Sequence, residues 1–327
     1  VDDPCREALA FWITAPGHGE LRPETLPAPA AGEASVQTLY SGVSRGTEAL
    51  VFAGHVPASE YERMRAPFQA GEFPAPVKYG YSNVGHVLQG PAEWQGRAVF
   101  CLYPHQQRYV VPCDALYLLP ESVPPSRAVL AANLETALNG VWDSGAGPGD
   151  RVAVVGAGSV GCLTAWLVSR MPGCEVELID INPQRAGVAA ALGVKFTAPD
   201  SASAEADVVF HSSGSADGLT AALRLAAFEA TVVELSWYGD RSVSLALGEA
   251  FHSRRLLLKS SQAGSVPVAR RARWSRRRRM ERALSLLRDP ALDAVINSEG
   301  PFEALPQTLS QLSRSPGDVI MHRVRYV

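Results

Sequence analysis

Residues 151–180 read RVAVVGAGSVGCLTAWLVSRMPGCEVELID. The four apolar residues Val152 to Val155 predict a short buried strand. Gly156-Ala157-Gly158-Ser159-Val160-Gly161 follows at once, and an apolar run at helical spacing leads on to Met171. A second strand, Glu175 to Ile179, ends in Asp180. In this order the three glycines have separate jobs. Gly156 allows a tight turn, Gly158 lets the backbone approach a pyrophosphate, and Gly161 lets the helix pack against the strand. The helix start at Ser159 and Val160 offers free N–H groups and a positive dipole end to phosphate. Asp180, about 20 residues beyond the last glycine, stands where a carboxylate accepts the hydroxyls of an adenine ribose, with Ile181 beside it. The competing reading is a glycine turn in a parallel sheet that binds nothing. The carboxylate repels a 2′-phosphate, which favours NAD over NADP, and Arg185 nearby weakens that preference.

The chain of 327 residues is long enough for two domains. It is 46% hydrophobic and 19% charged with a formal net charge of −3, a balance that points to neither nucleic acid nor an anionic membrane. The apolar runs are too short for a membrane helix. The first residues, VDDPCREALAFWI, have acids where a signal peptide needs bases, so a cytoplasmic location is expected. Cys5, Cys101, Cys113, Cys162 and Cys174 are scattered without a CxxC pair, which argues against a disulfide framework or structural zinc. Each reads as a small reduced hydrophobe, with Cys101 the one to watch near a cleft.

Residues 1 to 128 carry short β-type runs (Ala8 to Thr14, Glu33 to Ser41, Val84 to Leu88, Arg97 to Leu102, Arg108 to Val111) separated by Gly and Pro clusters, which predicts a β-barrel-like domain. Helices are expected near Thr47 and near Ser59. From Pro125 the pattern becomes helical, with Ser126 as N-cap. After Asp180 the order is a helix ending at Gly193, a strand Asp207 to Phe210, a helix Ala216 to Phe228, and strands Thr231 to Leu235 and Leu256 to Lys259. This alternation predicts an α/β doubly wound parallel sheet, which binds ligands at the carboxyl ends of its strands. His211, Ser212, Ser213, Leu235 and Ser236 fall there. The arginines Arg270, Arg271, Arg273 and Arg276 to Arg279 read either as a solvated helix face or as a rim that captures an anionic substrate.

This order of parts resembles the medium-chain dehydrogenase/reductase family across nearly the whole chain. The resemblance rests on QRYVVPCDALYLLPESVPPSRAVLAANLETALNGV, DRVAVVGAGSVG and VELIDINPQRAGVAAALG. It implies a GroES-like β-barrel domain over 1–128, completed by 266–327, and a Rossmann dinucleotide-binding domain over 129–265. It also implies alcohol/carbonyl oxidoreduction with a nicotinamide cofactor and a homodimer joined through sheet edges. Against the family's Gly-Ile-Cys-[Arg/Gly]-[Ser/Thr]-Asp motif stands Gly42-Val43-Ser44-Arg45-Gly46-Thr47-Glu48, with one extra residue before Thr47. Ser44 replaces the zinc-binding cysteine, Thr47 matches the proton-relay hydroxyl, and Arg45 falls where some members contact the cofactor pyrophosphate. Tyr81, in Gly80-Tyr81-Ser82, replaces the second zinc ligand, Glu135 matches the third, and the four-cysteine structural lobe is absent. The Ser41 to Glu48 stretch is also similar to that of bacteriochlorophyllide hydroxyethyl dehydrogenases.

Three ligand positions that supply one ordinary ligand do not make a catalytic zinc site, so neither catalytic nor structural zinc is expected. Without it, hydrogen-bond donors must polarise the carbonyl and move the proton. Tyr81 is the acid/base candidate, its acidity to be tuned by Lys78 or Arg45; Ser44 and Thr47 donate or relay; Glu135 orients Tyr81 or binds a substrate hydroxyl. The bland alternatives are a packed Tyr81, a space-filling Ser44, an N-cap Thr47, a Glu135 paired only with Arg45, a solvated Lys78 and a surface His105. Two other functions stay open: reduction of activated C=C bonds, as in quinone oxidoreductase-like members, and nucleotide binding without turnover. The small-molecule substrate is expected to be anionic, from the arginines, or bulky, from the missing lobe.

Overall fold

The computed structural model describes residues 7–315 and 317–326; Cys5 lies outside them. The strands are β1 (Glu7–Ala15), β2 (His18–Thr25), β3 (Glu33–Val43), β4 (Ala70–Gly71), β5 (Val77–Lys78), β6 (Asn83–Gln89), β7 (Ala98–Cys101), β8 (Arg108–Pro112), β9 (Tyr117–Leu118), β10 (Arg151–Val155), β11 (Glu175–Ile179), β12 (Lys195–Thr197), β13 (Ala206–His211), β14 (Ala226–Glu234), β15 (Leu257–Ser260), β16 (Ile296–Pro301) and β17 (Met321–Arg325). The helices are α1 (Arg45–Phe52), α2 (Pro125–Ala128), α3 (Ala131–Ser144), α4 (Ser159–Val168), α5 (Arg185–Leu192), α6 (Ala216–Leu225), α7 (Ala250–Ser253), α8 (Val268–Arg271), α9 (Arg276–Leu286) and α10 (Leu305–Arg314).

The first unit comprises Val1–Ala132, Leu284–Asp289 and Ile296–Val327. Its larger sheet runs β16-β17-β3-β6-β7-β9, with β8 also paired to β3, and its smaller one runs β2-β1-β5-β4. The long β3 is central because it pairs with β17, β6 and β8 in turn. Ala34, Val36, Cys101, Tyr103 and Tyr109 share its core, so Cys101 is a buried core residue and burial pushes its thiol up to about 12. The second unit comprises Asn133–Ala283 and Pro290–Val295. Its parallel sheet runs β12-β11-β10-β13-β14-β15. That order reverses at β10, which is where such sheets open a ligand crevice. Among the described residues no helix is long and apolar enough to cross a membrane.

Several local expectations are corrected. Only a 3-10 turn, Ala58–Glu60, forms near Ser59. Ser126 is not an N-cap: Pro124 precedes α2, and Pro125 starts it, because the ring presets the helical φ and removes an N–H that would otherwise need a partner. The expected helix through Phe228 stops at Leu225, and Ala226 opens β14. No glycine or proline marks that boundary, so the β-branched run 231–233 extends the strand backward. The units divide at Ala132, and residues 266–283 belong to the second unit, where the sequence had assigned them to the first.

Arg279 explains the last difference. It is 1% exposed. Its Nε donates to Glu135 Oε1 at 3.0 Å, and its terminal nitrogens donate to Asn139 Oδ1 and to the carbonyls of Ala263 and Ser265. This anchors α9 to α3. The neighbouring arginines behave differently: Arg278 lies 4.0 Å over the Trp274 ring, and Arg277 pairs with Glu281 at 3.0 Å on the surface. Replacing Arg279 with Ala strands a buried carboxylate and is expected to cost about 3–5 kcal/mol. Arg277→Ala is expected to cost no more than about 1 kcal/mol. Urea unfolding of the two variants measures the contrast, and equal costs would remove Arg279 from its anchoring role.

Candidate functional site

The glycine turn of the second unit has the tight turn and the close helix packing read from its sequence. Gly156 has φ +105°, and a Cβ there would lie 2.5 Å from Ser213 N. A Cβ on Gly161 would lie 1.8 Å from Gly156 O. A Cβ on Gly158 would meet nothing within 4 Å, so that position faces open space of the kind a phosphate group occupies. Ser159 is buried and accepts a hydrogen bond from Asn133 Nδ2 at 3.1 Å, while Val160 is half-buried on the first turn of α4.

Asp180 closes the turn. One carboxylate oxygen accepts the Ala157 N–H at 2.7 Å and the other the Asn182 N–H at 2.8 Å. Each oxygen keeps lone-pair capacity for a ribose hydroxyl. Ile181 is 88% exposed, an apolar face beside that carboxylate. Arg185 is buried, with its charge near the Cys162 thiol, and so does not present a surface cation for a 2′-phosphate. The residues present fit a dinucleotide. Of the strand-end residues, Ser212 donates to Gly156 O at 2.9 Å and Ser213 bonds His211 at 2.6 Å. Ser236 accepts from Gly214 N at 3.1 Å, and the Leu235 side chain packs toward Gly140 of α3.

The polar cluster of the first unit is built around the start of α1. Ser44 is the N-cap residue, but its side chain makes no capping bond. Glu48 Oε1 instead accepts the Ser44 N–H at 2.7 Å, so the carboxylate does the work expected of a cap, and Thr47 is inside the helix rather than at its cap. Arg45 is half-buried on the first turn. The Tyr81 hydroxyl hydrogen-bonds with the side chains of Ser44 and Thr47. Burial and then the Glu48 charge hold the phenol well above the usual tyrosine range. This reverses the expectation that a cation lowers it. Lys78 is committed elsewhere, donating to Glu24 Oε2 at 2.6 Å and Gln106 Oε1 at 2.8 Å, and is buried rather than solvated.

Sequence reasoning missed the support of this cluster. His105 is 1% exposed, not a surface residue. Its Nε2 is 2.7 Å from Glu48 Oε2 and its Nδ1 2.7 Å from Ser41 Oγ, which in turn is 2.9 Å from Tyr326 OH. Burial raises the Tyr79 and Tyr326 phenols as well, and Glu48 adds to both shifts. The available signal was an acid, Glu48, followed directly by the apolar run ALVF. Glu135 lies in the second unit and pairs with Arg279, not Arg45; burial still raises its carboxyl despite that partner. Among the described residues, no group of three or more His, Cys, Asp or Glu side chains is arranged to hold a metal ion.

No family model matches the chain. D-guloside 3-dehydrogenase of Escherichia coli (strain K12) is 25% identical over 312 residues, 86% of this chain and 89% of that protein. Acetophenone reductase from Geotrichum candidum NBRC 4597, in complex with NAD, superposes with a TM-score of 0.77 at 15% identity, covering 99% of this chain and 98% of that one. A candidate zinc-binding dehydrogenase from Sinorhizobium meliloti 1021, bound to NADP, gives 0.77 at 18% identity over 98% and 99%. The fold is that of these dehydrogenases. The chain therefore has a sheet-rich unit and a parallel-sheet Rossmann-like unit, as the sequence resemblance implied.

His322 on β17 adds a pH-sensitive element beside this cluster. Its Nδ1 is 2.8 Å from Ser298 Oγ, and burial, then the His105 charge, lower its pKa from 6.5 to about 4. The folded state thus binds this proton later than the unfolded state as pH falls. The neutral form's stability is complete above about pH 6.5 and erodes between there and about 4, by at most about 3 kcal/mol. His322→Asn is expected to flatten stability over that window, measured by urea midpoints at stepped pH. An unchanged slope would contradict the assignment.

Proposed function

We propose that this protein is a nicotinamide-dependent oxidoreductase that transfers a hydride between the cofactor and an alcohol or carbonyl carbon, without a catalytic zinc. The observation that carries the proposal is the Tyr81 hydroxyl, held by Ser44 and Thr47 and kept un-ionised by its surroundings. The sugar- and ketone-directed names of the similar dehydrogenases support alcohol/carbonyl chemistry. The second unit binds the dinucleotide at Gly156, Gly158, Ser159, Val160 and Gly161, with Asp180 and Ile181 at the adenosine end. NAD is favoured over NADP because Asp180 is anionic there and Arg185 is buried.

When bound, the nicotinamide supplies the hydride; the chain's own residues supply the proton and the orientation. A phenol whose pKa is raised is a hydrogen-bond donor throughout the neutral range. It suits donation to a carbonyl oxygen that gains charge as hydride arrives. Ser44 and Thr47 fix the phenol's direction and can re-supply its proton. The donor set is a poor match to zinc: Ser44 and Tyr81 are neutral hydroxyls, Glu48 is engaged by His105, and Glu135 by Arg279. Glu135 is accordingly not kept among the catalytic residues. The substrate is a small polyol, sugar derivative or ketone, handled by a homodimer in the cytoplasm without nucleic acid or membrane.

Tyr81→Phe is expected to lower kcat/KM for carbonyl reduction by about 10²–10⁴ while leaving NADH affinity unchanged. The wild-type reduction rate is expected to show no alkaline limb from this phenol below about pH 10, because its pKa is raised above the usual value. Steady-state assays with a ketone and sugar panel, on protein whose zinc content has been measured, test both. Full activity in the Phe variant, or about one zinc per chain with loss of activity on chelation, would overturn the proposal.

A further inference from the structure

A second acid–histidine pair, a buried imidazole with a half-buried carboxylate, stands at the carboxyl ends of β13 and β14. His211 is 0% exposed, and its Nδ1 lies 2.7 and 2.9 Å from the two Glu234 oxygens. A carboxylate only accepts, so Nδ1 carries the proton. Glu234 also accepts the Ser236 N–H at 2.7 Å and the Tyr238 O–H at 3.0 Å, and the Tyr238 ring stacks on the His211 ring at an interplanar angle of 18°. The other ring nitrogen, Nε2, is then free to accept from Ser213 Oγ at 2.6 Å. Further bonds hold the serine loop. Gly218 N–H donates to Ser215 Oγ at 3.0 Å, Ser215 Oγ is 3.0 Å from Ser213 Oγ, and the Ser215 N–H reaches Ser213 Oγ at 3.2 Å. With Nε2 accepting, the Ser213 hydroxyl sends its proton to His211, and its oxygen accepts the Ser215 N–H.

The consequence is mechanical. The loop after β13 and the loop after β14 are fastened through one imidazole, and the Gly214 N–H to Ser236 Oγ bond at 3.1 Å fastens them again. The serine loop also presses on the glycine turn: Ser212 N donates to Val155 O at 2.8 Å, and Ser213 N occupies the space that a Gly156 side chain would need. In a sheet whose order reverses at β10, the β10–β11 side, with Asp180, takes the adenosine half of a dinucleotide. The β13–β14 side takes the other half.

We propose that the Ser213–His211–Glu234 chain is a latch that shapes the nicotinamide half of the site, with Ser213 as its ligand-side end and Glu234 and Tyr238 as positioning residues. This rests on the nicotinamide reading above. The latch acts on one half of the ligand only, and this separates it from a general contribution to folding.

The test is equilibrium binding of NADH and, separately, of AMP, followed by tryptophan fluorescence, on wild type, Ser213→Ala, His211→Gln and His211→Ala. AMP carries only the adenosine half. Ser213→Ala is expected to raise the NADH Kd about three- to tenfold, and His211→Ala about thirtyfold or more. His211→Gln, which keeps one donor toward Glu234, falls between wild type and His211→Ala. AMP affinity is expected to stay within about twofold of wild type in all of them. Ser213 is exposed, so its variant reports even where the buried His211→Ala fails to fold. Unchanged NADH affinity in Ser213→Ala and His211→Gln overturns the latch, and so does a parallel loss of AMP and NADH binding. If wild type binds neither NADH nor NADPH, the nicotinamide reading itself falls and takes the latch with it.

Discussion

A carboxylate taken out of water must be paired, because its desolvation costs several kcal/mol that only a close partner of opposite charge or strong donors can return. Among the described residues two are buried, Glu48 and Glu135, Glu234 is half-buried, and each is answered by a side chain distant in sequence. Glu48 meets His105 across 57 positions, Glu234 meets His211 across 23, and Glu135 meets Arg279 across 144. The first ties α1 to the segment after β7 and, through Ser41 and Tyr326, to the end of β17. The second ties two strand-end loops. The third brings the arginine run back to α3. Where the backbone must hold a functional hydroxyl, at Ser44 or Ser213, one of these pairs is within a single bond of it.

The turn at Gly156 was legible because every constraint on it is local. Strand, turn, helix and acid follow within thirty residues, and the demands on each glycine come from its immediate neighbours. The parallel sheet was legible for the same reason, since its alternation is written along the chain. The paired charges were not. His105 sits in PHQQR, a polar context that reads as surface, and it is buried only once Phe11 of β1, Ser41 of β3 and Glu48 of α1 close on it. Arg279 cannot be told from Arg278 by composition, because a one-residue step around α9 decides which guanidinium enters the interior. Lys78 was read as free, although Glu24, its partner, comes from the opposite end of the β1–β5 sheet. The misplaced helix ends near Ser59 and Phe228 belong to the same class: weak local signals settled by the packing they enter.

The electrostatics of the two clusters also differ in a way that matters for chemistry. Around Tyr81 the nearest full charge in the shift is the Glu48 carboxylate, and it favours the neutral phenol. Burial raises the Tyr79 and Tyr326 phenols in the same way, and the Glu48 charge adds to both. A site arranged in this way is a poor base and a durable donor. Reduction of a carbonyl uses such a donor directly, whereas oxidation of an alcohol requires the proton to leave through Ser44 and Thr47.

A neutral donor also polarises less than a metal. A Lewis acid stabilises developing oxyanion charge by several kcal/mol, while one preorganised hydrogen-bond donor is worth about 3–4 kcal/mol. In the proposed reaction the shortfall has to come from geometry, and well-oriented reactants recover about 7–11 kcal/mol. That places unusual weight on rigidity in both units. The α1 start is pinned by Glu48 to the Ser44 backbone, and the strand-end loops are pinned by His211 and Glu234 to each other. In that proposal the two acid–histidine pairs serve the chemistry by removing motion. Under the same proposal, their cost in desolvation is the penalty for holding two hydroxyl-bearing turns still where no metal organises them.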